Sequence, residues 1–239
     1  MAYDRDVVVN CFKRHYKLLV KAAYFDPAEI LYPPDEGWSD EKLAADVLRT
    51  FGRSEEVIDL LRHLPYIKQL DGDVKDELYF ESRHLSYLRD TWPFRYLTVE
   101  NCQGKQLFDK LLMPSPEDWP AGFIALTQDI YGTWWIFDTA KGIIHLMGTG
   151  YTEPPENEPW LLGAVSRDIQ EYFDEIYNEI VALIMVPCPK GENSWNRTIQ
   201  PYTWDVGSVV SQTLRKHGWP DNLDRDAYLQ ELKEVHPET

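Results

Sequence analysis

Positive charge is scarce in this chain: 24 Lys and Arg stand against 40 Asp and Glu, a formal net charge of −16. That balance excludes a general nucleic-acid binder, whose affinity for phosphate comes from Lys and Arg displacing counterions. Cysteine is scarce too. Cys11, Cys102 and Cys188 are odd in number and lack metal-ligand spacing, which fits a reducing compartment and not a disulfide framework. No run approaches the roughly 20 apolar residues that span a bilayer, and MAYDRDVVVN holds no apolar core of a secretory signal. The expectation is a soluble cytoplasmic protein without membrane contact, in which Asn196-Arg197-Thr198 is a chance sequon. GxGxxG, GxxxxGKS/T and the GxSxG elbow are missing, so nucleotide cradles and a hydrolase nucleophile are not expected. The six histidines (His15, His63, His84, His145, His217, His236) have no paired spacing, and neither a metal nor a cofactor is expected.

Apolar and aromatic residues concentrate between Ala121 and Met147. Phe123 to Thr127, Thr133 to Phe137 and Gly142 to Met147 are rich in Ile, Phe, Trp and Thr, which suit a pleated, half-buried surface. The joints close on Gly132 and Gly142, so the segment predicts an antiparallel meander. Most of what flanks it has helical spacing. The fold class expected is α+β, with a single antiparallel sheet packed by several helices, in one domain over 1–239. Nine tryptophans are explained by this core, with Trp134, Trp135 and Phe137 inside it; Trp160, Trp195 or Trp204 are the ones available to a pocket.

Residues 4 to 23 predict a helix capped by Asp4, with Val8, Cys11, Phe12, His15, Leu18, Leu19 and Ala22 inward and Lys13, Arg14, Lys17 and Lys21 outward. Tyr24 to Trp38, with three prolines, predicts an extended surface loop. Ser39 and Ser54 then cap two helices that form a hairpin ending at Pro65. Strands are expected near Glu77 to Glu81 and Tyr96 to Glu100, and a helical start at Ser115-Pro116-Glu117-Asp118. A second positively biased stretch runs from Arg83 to Lys110, through Arg89, Arg95 and Lys105. Further helices are expected over Asp205 to His217 and Asp224 to Val235. Val186-Pro187-Cys188-Pro189 reads as a terminator, and 190 to 203 as a polar loop.

The helix expected over Ser166 to Ile184 carries the chemistry. Ile169, Phe173, Ile176, Ile180 and Leu183 make its inner face, while Asp168, Glu171, Glu175 and Glu179 step by three or four residues and set four carboxylates in line, with Asp174 beside them. Like charges at this spacing repel. A solvated face, a catalytic cluster and a dock for a basic partner all remain open. Magnesium binding for a phosphate substrate is weaker, because a lone helix does not enclose a cation.

Two resemblances bear on the choice. Pro120-Ala121-Gly122-Phe123-Ile124-Ala125-Leu126, Tyr131-Gly132, Trp135-Ile136-Phe137-Asp138-Thr139 and Lys141-Gly142-Ile143-Ile144 resemble the meander of the SMI1/KNR4 (SUKH) superfamily. That resemblance implies a SUKH-like α+β fold and protein binding, as in toxin immunity or regulatory scaffolding. The chain's size, Gly52-Arg53-Ser54-Glu55-Glu56-Val57-Ile58-Asp59-Leu60-Leu61-Arg62-His63-Leu64-Pro65-Tyr66 and His217-Gly218-Trp219-Pro220 resemble a group of fungal proteins that includes arginine-containing cyclodipeptide synthases. These are associated with a DDxxE motif. Asp174-Glu175-Ile176-Tyr177-Asn178-Glu179 is the nearest match, with Glu at the second position and Glu179 one place late.

The second resemblance implies an enzyme that joins two aminoacyl-tRNA esters, one of them arginyl-tRNA, into an arginine-containing diketopiperazine. Asp174, Glu175 and Glu179 would then supply the base for an attacking α-amine, since crowding raises a carboxylate. Asp168 and Glu171 would bind the guanidinium, and Lys13, Arg14, Lys17 and Lys21 would hold the tRNA. The alternative is a non-enzymatic interaction or immunity module whose acidic face binds a basic protein partner.

Overall fold

Asp4 starts the first helix as expected: its carboxylate accepts the amides of Asp6 and Val7, and α1 runs Arg5–Lys21. The computed structural model describes residues 3–68, 76–92, 94–102, 119–128, 132–148, 164–190 and 196–235. Ser39 caps only a turn, since Leu43 bridges to Leu88 and the Ala44 amide donates to Tyr87; regular α2 is confined to Ala45–Thr50. Ser54 caps α3, Glu55–His63. The joint between them docks on the meander, because half-buried Arg53 donates to the carbonyls of Trp119, Pro120 and Phe123. Three further helices follow: α4 (Ile169–Val181), α5 (Asp205–Lys216) and α6 (Arg225–Val235).

The single sheet expected from the sequence is corrected to four separate sheets among the described residues. β1 (Ile30–Leu31) pairs with β2 (Tyr66–Ile67). β3 (Glu77–Tyr79) and β4 (Ser82–His84) join β6 (Thr127–Gln128), while β5 (Phe123–Ala125), β7 (Trp134–Asp138), β8 (Ile143–Met147) and β9 (Val165–Asp168) form the largest sheet. β10 (Met185–Cys188) pairs with β11 (Thr198–Pro201). All the ladders are antiparallel.

The meander is present, and its first strand divides. The Leu126 amide still donates to Trp135 at 2.7 Å, but at Thr127 the backbone turns to pair with His84, and the Thr127 hydroxyl takes over by accepting the Trp135 amide at 2.8 Å. The chain leaves one sheet for another without a loop. At the second joint Asp138 accepts the amides of Ala140 and Lys141, and Gly142 supplies the left-handed φ of 70°. At Gly132 a Cβ would lie 1.9 Å from the Glu81 carbonyl oxygen, while residues 129–131 of the first joint lie outside the described residues.

Trp135, fully buried, is the contact between sheet and helices. Its ring meets Phe12 at 6.4 Å, Tyr172 at 5.4 Å and Phe173 at 5.6 Å, so α1 and α4 lie side by side over the Trp135 and Phe137 face. Elsewhere the structure departs from the sequence reading. Tyr24 to Trp38 holds a 3-10 turn (Pro27–Glu29) and β1, with Tyr24 and Phe25 buried. Tyr96 to Glu100 is not a strand but follows a 3-10 turn at Phe94–Tyr96. The helical start at 115–118, Trp160, Trp195, Lys105 and Lys110 lie outside the described residues.

Arg197 joins three of the smaller pieces. Its guanidinium donates to Asp76 at 2.8 Å and to both Glu29 oxygens at 2.7 and 2.8 Å, over the Phe25 ring at 5.0 Å. The Glu77 carboxylate accepts the Ile199 amide. Together they tie β3 to β11 and to the 3-10 turn.

Candidate functional site

The acidic line on α4 resolves into separate tasks. Asp168 closes β9 in extended conformation and caps the helix, its Oδ1 accepting the Gln170 and Glu171 amides at 2.8 and 3.0 Å. An Asp at this position satisfies two of the orphan amides of the first turn. Glu171, in that turn, is exposed and favoured by the helix dipole. Glu175 pairs with Arg167 from β9. Asp174 pairs with Arg14 from α1, each side chain about half exposed. Arg14 also lies 5.2 Å over the Tyr177 ring.

Glu179 differs from the rest. It accepts the Tyr79 hydroxyl from β3 and is partly buried, and burial pushes its carboxyl above the usual range. Tyr79 had no signal in the sequence, since the two residues are 100 positions apart. The residues expected to act together thus divide: Asp174 and Glu175 are each neutralised by an arginine, Asp168 is a cap, and Glu179 faces another element.

The exposed ridge of α4 is Asp168, Glu171, Glu175, Asn178 and Ala182. It stands opposite Ile169, Phe173, Ile176 and Ile180, which are buried on the sheet. Two open clefts lie along α1, and no α4 residue lines either.

The cations of α1 also divide. Arg14 belongs to the α4 pair, and Lys21 lies 6.0 Å from the Trp219 ring. Lys13 and Lys17 make no ion pair among the described residues, and each borders a cleft. In the second basic stretch Arg89 pairs with Asp46 and Arg95 stacks on Tyr96. The histidines nearest α1 are interior: burial pushes His15 down to about 4 and His84 down to about 3. Both are neutral rings that hold backbone, His15 donating to the Leu78 carbonyl and His84 accepting the Ile67 amide. The cysteines are buried, with the Cys11 thiol pushed up to about 11 and Cys188 raised further by burial. None is poised as a nucleophile.

Among the described residues, no helix is long and apolar enough to cross a membrane. In comparisons with known proteins, the chain matches no family model, no curated protein and no solved structure.

Proposed function

We propose that this chain is a non-enzymatic interaction module that presents the outer face of α4 to a basic partner. One observation carries the reading: Asp168, Glu171 and Glu175 stand on a convex, exposed ridge, whereas a small-molecule site is concave and encloses its ligand. The ridge is backed by a rigid aromatic core at Trp135, so it is held in place without the partner. A formal charge of −16 adds a long-range field that speeds encounter with a cationic surface and fades with salt. Glu171 makes no ion-pair contact among the described residues, although Arg167 acts on it through space, so a partner arginine meets an exposed carboxylate.

The test is a titration of the chain with a labelled Arg-rich peptide at low and high salt. Saturable binding that weakens with salt, and that Glu171→Lys with Glu175→Lys abolishes, supports the module. Binding that is indifferent to those substitutions overturns it.

The cyclodipeptide synthase remains the second reading, favoured by the raised carboxyl of Glu179 and its Tyr79 donor. A base for an α-amine of pKa about 8 gains from such a shift. The Arg14–Asp174 pair engages one catalytic candidate with one tRNA candidate, and this reading is ranked second. Incubation with Arg, tRNA, ATP and aminoacyl-tRNA synthetases tests it. A cyclo-Arg-Xaa product that Glu179→Gln abolishes would reverse the ranking.

A further inference from the structure

Two clefts lie end to end along one stripe of α1. Arg5, Val9, Lys13, Lys17 and Val20 share that stripe by their helical spacing. Toward the start of the helix, a cleft of about 300 Å³ has Pro33 and Pro34 as its far wall and His63 at its end. Toward the finish, a cleft of about 140 Å³ is walled by Pro27, Ile30 and Tyr32. The wall therefore runs antiparallel to the helix, 27–32 beside 17–20 and 33–35 beside 5–13. From Arg5 to Val20 the trough spans about 22 Å, room for roughly seven residues of extended chain.

The chemistry changes along its length. The shorter cleft is apolar at its base, with Tyr32 43% exposed over it. The longer cleft is polar. At its end Arg5 is fixed by both oxygens of Asp59, at 3.2 and 3.1 Å, and His63 donates through Nδ1 to the Asp59 carbonyl at 2.8 Å. Asp6, held by Arg5, and Asp35 keep that end mixed in charge. The middle is not mixed. Lys13 and Lys17, one turn apart, are unpaired among the described residues, although the protein carries sixteen more formal negative charges than positive. Like charges at that spacing repel, and no ion pair among the described residues offsets them.

The geometry points to a peptide-binding groove whose occupant is an extended acidic segment of a partner protein, with an aliphatic or aromatic side chain in the Val20–Ile30–Tyr32 cleft and carboxylates over Lys13 and Lys17. The charge complementarity of the two lysines selects the acidic ligand, and the adjoining apolar cleft selects a peptide with a hydrophobic anchor. This groove is separate from the acidic ridge, the Arg14–Asp174 pair standing between the two faces.

Selection of a random heptapeptide display library on the full chain tests the proposal. Enriched peptides are expected to carry acidic residues beside an aliphatic or aromatic one. Their affinity should fall at least about tenfold in Lys13→Gln with Lys17→Gln, the loss of two pairs of roughly 0.7 kcal/mol each. It should fall again in Tyr32→Ser and stay unchanged in Glu171→Lys. Circular dichroism on each variant confirms folding, which these exposed positions are not expected to disturb. No enrichment, enrichment without acidic residues, or enrichment unaltered by the double substitution overturns the groove. Single-stranded RNA that displaces the selected peptide more tightly than the peptide binds would reassign it to nucleic acid.

Discussion

Arg14 on α1 and Asp174 on α4 form an ion pair across 160 residues of sequence, and the same guanidinium lies over Tyr177. The pair bridges the two helices that cover Trp135, whose packing rests on the Phe12, Trp135 and Phe173 rings beneath it. Both side chains are about half exposed, so solvent screens the attraction. A double-mutant cycle of Arg14→Gln and Asp174→Asn is expected to give a coupling of about 0.5 to 1 kcal/mol that shrinks with salt. Chemical denaturation measures it. A coupling of several kcal/mol would mean that the pair is far less solvated than its exposure indicates.

Arg197 should behave differently, because its network is nearly closed to solvent: Arg197 is 15% exposed and Asp76 8%. Arg197→Ala leaves the Asp76 carboxylate buried without its cation, and the expected loss is about 3 to 5 kcal/mol. Arg197→Lys should recover only part, since a single ammonium does not reproduce the fork that serves Asp76 and Glu29 together. Urea unfolding midpoints separate the two variants, and equal midpoints would contradict this account.

Acid should destabilise the protein before its carboxylates titrate. His15 and His84 have folded values near 4 and 3 against an ordinary 6.5. Their contribution is therefore complete above the unfolded value. It declines as pH falls through 6.5, because the unfolded chain takes up protons that the native rings refuse. Each ring adds a slope of up to about 1.4 kcal/mol per pH unit between roughly pH 6 and 4. Urea midpoints measured from about pH 7 to 5 should fall steadily. Substituting His84 with Gln, whose side chain can still accept the Ile67 amide, should remove one histidine's share of the slope.

Two glycines should respond unequally to alanine. At Gly132 the added methyl meets the Glu81 carbonyl at 1.9 Å, so the β3–β4 turn must move, at a cost of about 2 to 3 kcal/mol. At Gly52 nothing lies within 4 Å, and only the φ of 70° opposes the change, which costs about 1 kcal/mol. Thermal melts of the two variants should differ in that order.

Much of this fold is legible in the sequence where one element carries its own signal. α1, α3, α4 and the last two helices follow from apolar spacing, with Asp4 and Ser54 legible as caps; α4 starts three residues later than expected, because Ser166 to Asp168 belong to β9 and Asp168 is the cap. The strands of the meander follow from their β-branched and aromatic content. What stayed hidden depends on partners far away in sequence. β10 contains Pro187 and reads as a terminator, yet a strand with a free edge tolerates proline. β9 is mostly exposed and polar, so no alternation marks it. The division of the sheet at Leu126 has no local sign at all. In the candidate site, the carboxylate line on α4 is legible, but its neutralisation is not, because Arg14 and Tyr79 reach it from other elements. The prolines of 24–38 announce an extended segment, and only the fold sets that segment against α1.

The passage of one continuous strand from β5 to β6 bears on how the protein assembles. The Trp135 amide donates to the Thr127 hydroxyl and its carbonyl accepts the Leu126 amide, so the residue on which α1 and α4 rest also holds the point where the two sheets part. β4 meets β3 across a local turn, but its pairing with β6 depends on that point. Addition of β6 to the smaller sheet is therefore expected to follow the larger sheet, and solvent exchange of the Trp135 amide reports the junction of the two. Thr127→Val, which keeps the shape and removes the acceptor, should loosen β4 and β6 first and leave β7 paired with β8.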